Sequence, residues 1–332
     1  MKLDPRSEAT HPRYEVITDD RGRAQLEELL ALSFPVPKGA SFFDDFPVWD
    51  SPGVTRIGGY VGDRLVTSAA VRTSYFKASH RPFKAGLVGA VSTHPEFRGQ
   101  GLASHAVSLA LNWAIDQGAA LVALWGSEHS LYRKLGFELA GAQFRTPLAS
   151  LTLPRPAAGS PIGRGWVPSL FPLLQRRVGG CVLHATDEAW LARHKNVEWY
   201  WIGSPKAPRA YAALGRGIDL EGIVHEWGGE PEAVRELLGF IAGSRPDASV
   251  IGTASALLEH GFDSDATLGE YLAMMRVSDA SAILNAFGIE GGLKGAPGEL
   301  ARVLFGPERA IADSPFTPVL PLPLWIWGLD AC

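Results

Sequence analysis

Between two patterned stretches the chain reads Arg98, Gly99, Gln100, Gly101, Leu102, Ala103. Glycines at such a junction let the backbone turn tightly, so that unpaired N–H groups at a helix start converge on an anion with no side chain in between. That arrangement suits a diphosphate, and therefore a cofactor with a nucleotide tail. A dinucleotide fingerprint is nearly spelled by Gly99, Gly101 and Ser104, but its third glycine is missing. The acidic residue expected about 20 positions on is also absent, since the next strand closes with Ala123, Leu124 and Trp125.

The elements that must position this loop can be read from periodicity. Upstream, Gly86 to Thr93 is an apolar, partly β-branched run that enters a turn at His94 and Pro95, the mark of a buried strand. Downstream, Leu102, Ala106, Leu109, Ala110, Trp113 and Ala114 share one helical face over Leu102 to Gln117. A second buried strand follows at Ala119 to Trp125, and after it come Tyr132, Gly136 and Phe137.

The stretch from about Leu87 to Gly141 resembles the cofactor-binding core of the GCN5-related N-acetyltransferases (GNAT). Arg98, Gly101 and Ala103 match the Arg/Gln-x-x-Gly-x-Gly/Ala loop of that family, and Tyr132, Gly136 and Phe137 match its Tyr-x-x-x-Gly-Phe element. The resemblance implies acetyl-CoA as co-substrate, with the amides of Arg98, Gly99, Gln100, Gly101, Leu102 and Ala103 on the pyrophosphate. It also implies that the backbone of Val91, Ser92 and Thr93 serves the pantetheine arm and polarises the thioester carbonyl.

Acetyl transfer to a primary amine needs a neutral nucleophile, a polarised carbonyl and a proton for the departing thiolate. Tyr132 suits the last role: a phenol with a reference pKa near 10 stays protonated at neutral pH, while the thiol it serves has one near 8.5. The base is less sharply marked. Glu128 and His129 follow the strand ending at Trp125, and His94 follows the preceding strand; a turn cap for His94 and a helix start for Glu128 are the plainer readings. The apolar tail from Leu322 to Cys332 is expected to dock rather than dangle. By resemblance to enzymes of the enhanced-intracellular-survival type, the α-carboxylate of Cys332, or Asp330, then reaches the active site. Acceptor contacts are sought in the loop carrying Phe42, Asp44, Asp45 and Trp49, which combines negative charge with aromatic surface.

Farther along, an amphipathic helix is expected from Arg23 to Ser33, with strands at Thr55 to Val61 and Arg64 to Thr73 around a Gly62-Asp63 turn. Residues 1–153 are thus assigned to a catalytic GNAT domain. Residues 154–165, rich in proline and glycine, read as a linker. Beyond it the order of strands and helices repeats over 166–278 without the glycine loop, as in tandem GNAT enzymes whose degenerate half shapes the acceptor pocket. Residues 279–332 supply two helices and an extended tail. The expected fold class is therefore α/β (α+β), two GNAT-like mixed-sheet domains in tandem with a short C-terminal helical segment.

The 332 residues carry 31 Lys plus Arg against 35 Asp plus Glu, a formal net charge of −4 that favours neither nucleic acid nor an anionic membrane as partner. Two cysteines make no disulfide framework, and the 9 histidines show no paired metal-ligand spacing. A charged N-terminus without an apolar core and a tail broken by Pro318, Pro321 and Pro323 point to a cytoplasmic location. Assembly as a homo-oligomer is left open. Two other functions fit the same motifs: a non-catalytic acyl-CoA sensor, and transfer of a longer acyl or an aminoacyl group.

Overall fold

A computed structural model describes residues 12–37, 39–157, 159–306 and 319–330. The strands are β1 Arg13–Val16, β2 Val54–Val61, β3 Arg64–Phe76, β4 Phe83–Thr93, β5 Leu121–Leu124, β6 Glu138–Pro147, β7 Ile162–Arg164, β8 Glu198–Ser204, β9 Ala207–Arg216, β10 Asp219–Gly229, β11 Ser249–Gly252 and β12 Leu268–Val277. The α-helices are α1 Asp20–Ala31, α2 Phe42–Asp45, α3 Leu102–Asp116, α4 His129–Arg133, α5 Phe171–Arg176, α6 Glu188–Leu191, α7 Pro231–Ser244, α8 Ala254–Glu259, α9 Ala280–Ala286 and α10 Pro297–Phe305. No described helix is long and apolar enough to cross a membrane.

All twelve strands join one mixed sheet in the order β1-β2-β3-β4-β5-β12-β6-β11-β10-β9-β8-β7. Its centre shows how the two halves of the chain combine. β12, from the second half, pairs antiparallel with β5 through Met274↔Leu124 and with β6 through Ala273↔Ala140. In return β6, from the first half, pairs with β11 through Val250↔Thr146. Each half thus gives its last strand to stand beside the other's central parallel pair, β4–β5 in one lobe and β10–β11 in the other.

This exchange corrects the expected boundaries. Residues 1–153 and 166–278 are not separate bodies, because each supplies a strand to the other. The linker is also shorter than expected: Ile162–Arg164 is an edge strand on β8, while the residues before it are without regular structure.

Cores cross the same divide. Phe42, Phe43, Phe46 and Trp49 pack in one cluster with Trp199, Trp201 and Tyr211. At α1 the helix begins earlier than expected, because Asp19 accepts from the Gly22 amide at 2.7 Å and so caps the first turn. The tail docks as expected. Leu322, Leu324, Trp325, Ile326, Trp327 and Leu329 are buried, and its backbone bonds to Leu304, Gly180 and His225.

Candidate active site

β4 and β5 run parallel from Ala85↔Leu121 to Val88↔Leu124, after which β5 ends and β4 continues to Thr93. A cleft opens where the pairing stops. Within it β4 carries a bulge: Ser68 pairs with Ser92, yet Ala70 pairs with Gly89, so β4 holds one extra residue. Ala90 takes up the irregularity at φ 49°, a left-handed conformation that alanine adopts at a cost of about 1–3 kcal/mol. The bulge is anchored by the Ser68 hydroxyl on the Ala90 carbonyl at 3.0 Å and the Thr67 hydroxyl on the Ser92 carbonyl at 2.9 Å.

The ladder fixes where the following amides point. His94 N–H donates to Val66 O at 2.8 Å, so the adjacent pair Thr67↔Thr93 is a non-hydrogen-bonded one. Thr93 therefore turns its N–H toward the side that β5 has left. The Ser92 side chain faces the other way, against Ser33 Oγ at 2.7 Å and the Leu29 carbonyl of α1 at 3.2 Å.

At the mouth of the cleft, Gly99 and Gly101 have φ of 77° and 78°, conformations that other residues resist. Gly101 caps α3 without any side-chain hydrogen bond. Among the described residues no acceptor is found for six consecutive amides, Gly99, Gln100, Gly101, Leu102, Ala103 and Ser104, and the series ends where His105 N–H reaches Gly101 O at 3.1 Å. Open donors at the positive end of a 15-residue helix are an arrangement that can hold an anion. Arg98 does not point its charge there; its Nε donates to Thr93 O at 3.1 Å and ties the loop to the end of β4.

Tyr132 lies on α4, beyond the end of β5. Its ring meets Phe137 edge to face at 6.4 Å and lies against Gly126, where a Cβ would sit 2.8 Å from the phenol oxygen. Glycine at 126 is what lets the ring rest on the backbone at the end of β5. The residue is buried, yet its hydroxyl has no hydrogen-bond partner among the described residues. Burial, then the charge of Glu128, raises its pKa, so the phenol is firmly protonated at neutral pH.

The other expected site residues separate into distinct places. Glu128 is exposed at the start of α4, and its side chain caps nothing. His94 is a turn cap: its Nδ1 accepts from Glu96 N–H at 3.3 Å, with Arg64 against the other ring nitrogen. Cys332 lies outside the described residues. Asp330 is completely buried: Arg177 binds its carboxylate, Cys181 N–H donates to it at 2.9 Å, and Arg72 Nη2 donates to its carbonyl at 3.1 Å. Locked in that cluster it is not a free base. Arg72 pairs with Leu87 of β4, however, so the docked tail runs beside the strand that forms the cleft.

The acceptor loop requires a correction. Phe42 stacks on Phe46 at 4.7 Å, and Trp49 is 1% exposed, so both belong to the core between the lobes. Asp45 accepts from Asn196 Nδ2 at 2.5 Å and from Ile218 N–H at 3.0 Å, which pins the loop to the second half of the chain. Asp44 closes a capping box with Ser41 and pairs with Lys195 at 2.7 Å. An aromatic and acidic loop at a seam satisfied its charges within the protein, so an incoming amine would find Phe42, Asp45 and Trp49 covered. Sequence reasoning missed the Ala90 bulge and the Gly126 contact; neither leaves a pattern in residue types.

Residues 22–140 match the family model described as an acetyltransferase (GNAT) domain. Among solved structures, a GCN5-related N-acetyltransferase from Anabaena variabilis is similar, at 20% identity over 82% of this chain and 75% of that one, with a TM-score of 0.60. A GCN5-related N-acetyltransferase from Kribbella flavida aligns at 18% identity over 84% of this chain and 75% of that one, TM-score 0.60. Eis1 from Mycobacterium abscessus aligns at 16% identity over 83% and 75%, TM-score 0.56. No curated protein matches the chain.

Proposed function

We propose that this chain is a GNAT acetyltransferase of the tandem, Eis-like type, a reading supported by the matched domain at residues 22–140 and the shared fold, and that it transfers acetyl from acetyl-CoA to a primary amine by direct attack on the thioester. One observation carries the reading: six unpartnered amides at the start of α3 stand beside a cleft where β4 and β5 part. A diphosphate at Gly99 to Ser104 would lay the pantetheine arm along the open edge of β4. Thr93 N–H, turned to that side, is available to the arm, and the bulge at Ala90 shapes the adjoining backbone around the thioester carbonyl. Tyr132 would then give its proton to the coenzyme A sulfur as the carbon–sulfur bond breaks. Deprotonation of the amine is assigned to the solvent-facing side, with the exposed Glu128 carboxylate as the nearest acid in the sequence. The acceptor itself is a small-molecule or peptide amine.

The cradle is tested by Gly101→Asp. Space is open around a Cβ there, so the damage comes from the positive φ, about 1–2 kcal/mol, and from an anion placed among the donors. Calorimetry with acetyl-CoA should show at least about a hundredfold loss of affinity, roughly 2.7 kcal/mol, in a protein whose circular dichroism is unchanged. Retained affinity would refute the placement of the diphosphate. Thiol release with a panel of aminoglycosides, polyamines and peptides then separates transfer from mere binding.

A further inference from the structure

The second lobe holds a cavity of about 1120 Å³, and it occupies the place beyond the parallel pair that corresponds to the cleft of the first lobe. β10 and β11 pair in parallel through Ile223↔Ser249 and Val224↔Val250, and β10 then continues past the paired stretch, as β4 does beyond β5. The cavity is lined by the turn from β10 into α7 and by the first residues of α8, the counterparts of the loop before α3 and of the α4 segment.

Its chemistry is different. At the start of α7 the Glu230 amide is spent on Arg209 O at 2.9 Å, Pro231 has no N–H, and Glu232 adds negative charge. A diphosphate is therefore repelled where the first lobe would hold one. In place of a cradle there are aromatic walls: Trp227 meets Trp327 edge to face at 5.6 Å, and Trp327 meets Trp325 at 5.5 Å. Trp325 is 5% exposed, and its indole N–H has no acceptor. Positive charge collects on one side. The Lys77 ammonium donates to the carbonyls of Gln175 and Arg177 at 2.8 and 2.6 Å, which brings it next to the exposed Arg176, and neither residue is paired with a carboxylate among the described residues. Of the acids lining the cavity, Glu230 is taken by Arg209 at 2.8 Å, and Glu259 is exposed on α8 with no ion pair among the described residues, so that Lys77 and Arg176 leave the lining with a positive excess.

We infer that this cavity is a second binding site, for a flat aromatic carboxylate whose ring lies against the tryptophan walls and whose carboxylate faces Lys77 and Arg176. The volume is within the range of small-molecule sites, edge-and-face aromatic walls favour a planar ring, and two unpaired cations favour an anion on it. The inference stands apart from the acetyl-transfer reading, since it uses none of the same residues.

Calorimetric titration of the full chain with 2-naphthoate, with 2-naphthylmethylamine as the matched cation, tests it. The carboxylate should bind at least about tenfold more tightly than the ammonium. Arg176→Glu, on an exposed side chain, should lower naphthoate affinity about tenfold or more and leave coenzyme A affinity unchanged. Ala256→Trp should narrow the cavity where α8 lines it and lower naphthoate affinity about tenfold or more. The inference is overturned if 2-naphthoate does not bind, if the two probes bind equally, if Arg176→Glu binds as the parent does, or if coenzyme A displaces the naphthoate.

Discussion

Replacing Tyr132 by Phe isolates the proposed proton transfer, because the hydroxyl is the only group lost and it has no protein partner to strand. The Phe137 contact at 6.4 Å and the packing on Gly126 remain. With no hydrogen bond removed, stability should stay within about 0.5 kcal/mol, and acetyl-CoA affinity within about twofold. General acid catalysis contributes about 10²–10⁴ in rate. A phenol whose pKa is raised by burial, then by Glu128, is a weaker acid than the thiol it serves, which places the loss toward the lower part of that range. The expected drop in kcat is about 10²–10³, or roughly 3–4 kcal/mol in the barrier. Thiol release at saturating acetyl-CoA and amine measures it. The wild-type rate should also hold on the alkaline side until the pH passes the ordinary tyrosine range, a limb that the variant loses. A variant turning over within about threefold of wild type would show that the sulfur takes its proton from elsewhere.

Two further outcomes concern the docked tail and the interior histidines. Asp330→Ala leaves the fully buried Arg177 with Glu226 alone at 2.7 Å and the Cys181 amide without its acceptor, so unfolding in denaturant should show a loss of about 3–5 kcal/mol; a loss below about 1 would refute the anchoring role. His225 is buried, and burial with the Arg216 charge pushes its pKa down to about 4. A base depressed in the fold adds stability that is complete above its unfolded pKa near 6.5 and is lost as the pH falls toward 4. Relative to His225→Gln, wild type should therefore lose about 1.4 kcal/mol per pH unit across that window, as read by denaturant titrations at several pH values; parallel stability curves for the two proteins would refute it.

The glycine turn before α3 was legible because it is local. A helix start with free amides needs glycines in sequence, and Gly99 and Gly101 have the positive φ that such residues permit. The start of α10 is local in the same way, because Pro297 sets its first turn. What was not legible depends on partners distant in the chain. Nothing in the residue pattern of Glu138–Pro147 or Leu268–Val277 says which lobe each strand will join. The acceptor loop misled for a related reason. Asp45 carries a charge, and charge in an aromatic loop reads as recognition, but its partners Asn196 and Ile218 lie more than 150 residues away.

Strand exchange also explains why a half without a cofactor cradle is kept. In the first lobe the edge of β5 that faces away from β4 is covered by β12, through Met274↔Leu124 to Val277↔Leu121. Without that strand β5 would present an unpaired edge immediately beside the cleft, and the turn from Leu124 to Gly126 that carries Tyr132 would lose its support. Trp125 makes the dependence specific, since its indole N–H donates to Leu272 O of β12 at 2.9 Å. The second half is therefore part of the scaffold that holds Tyr132 at the end of β5.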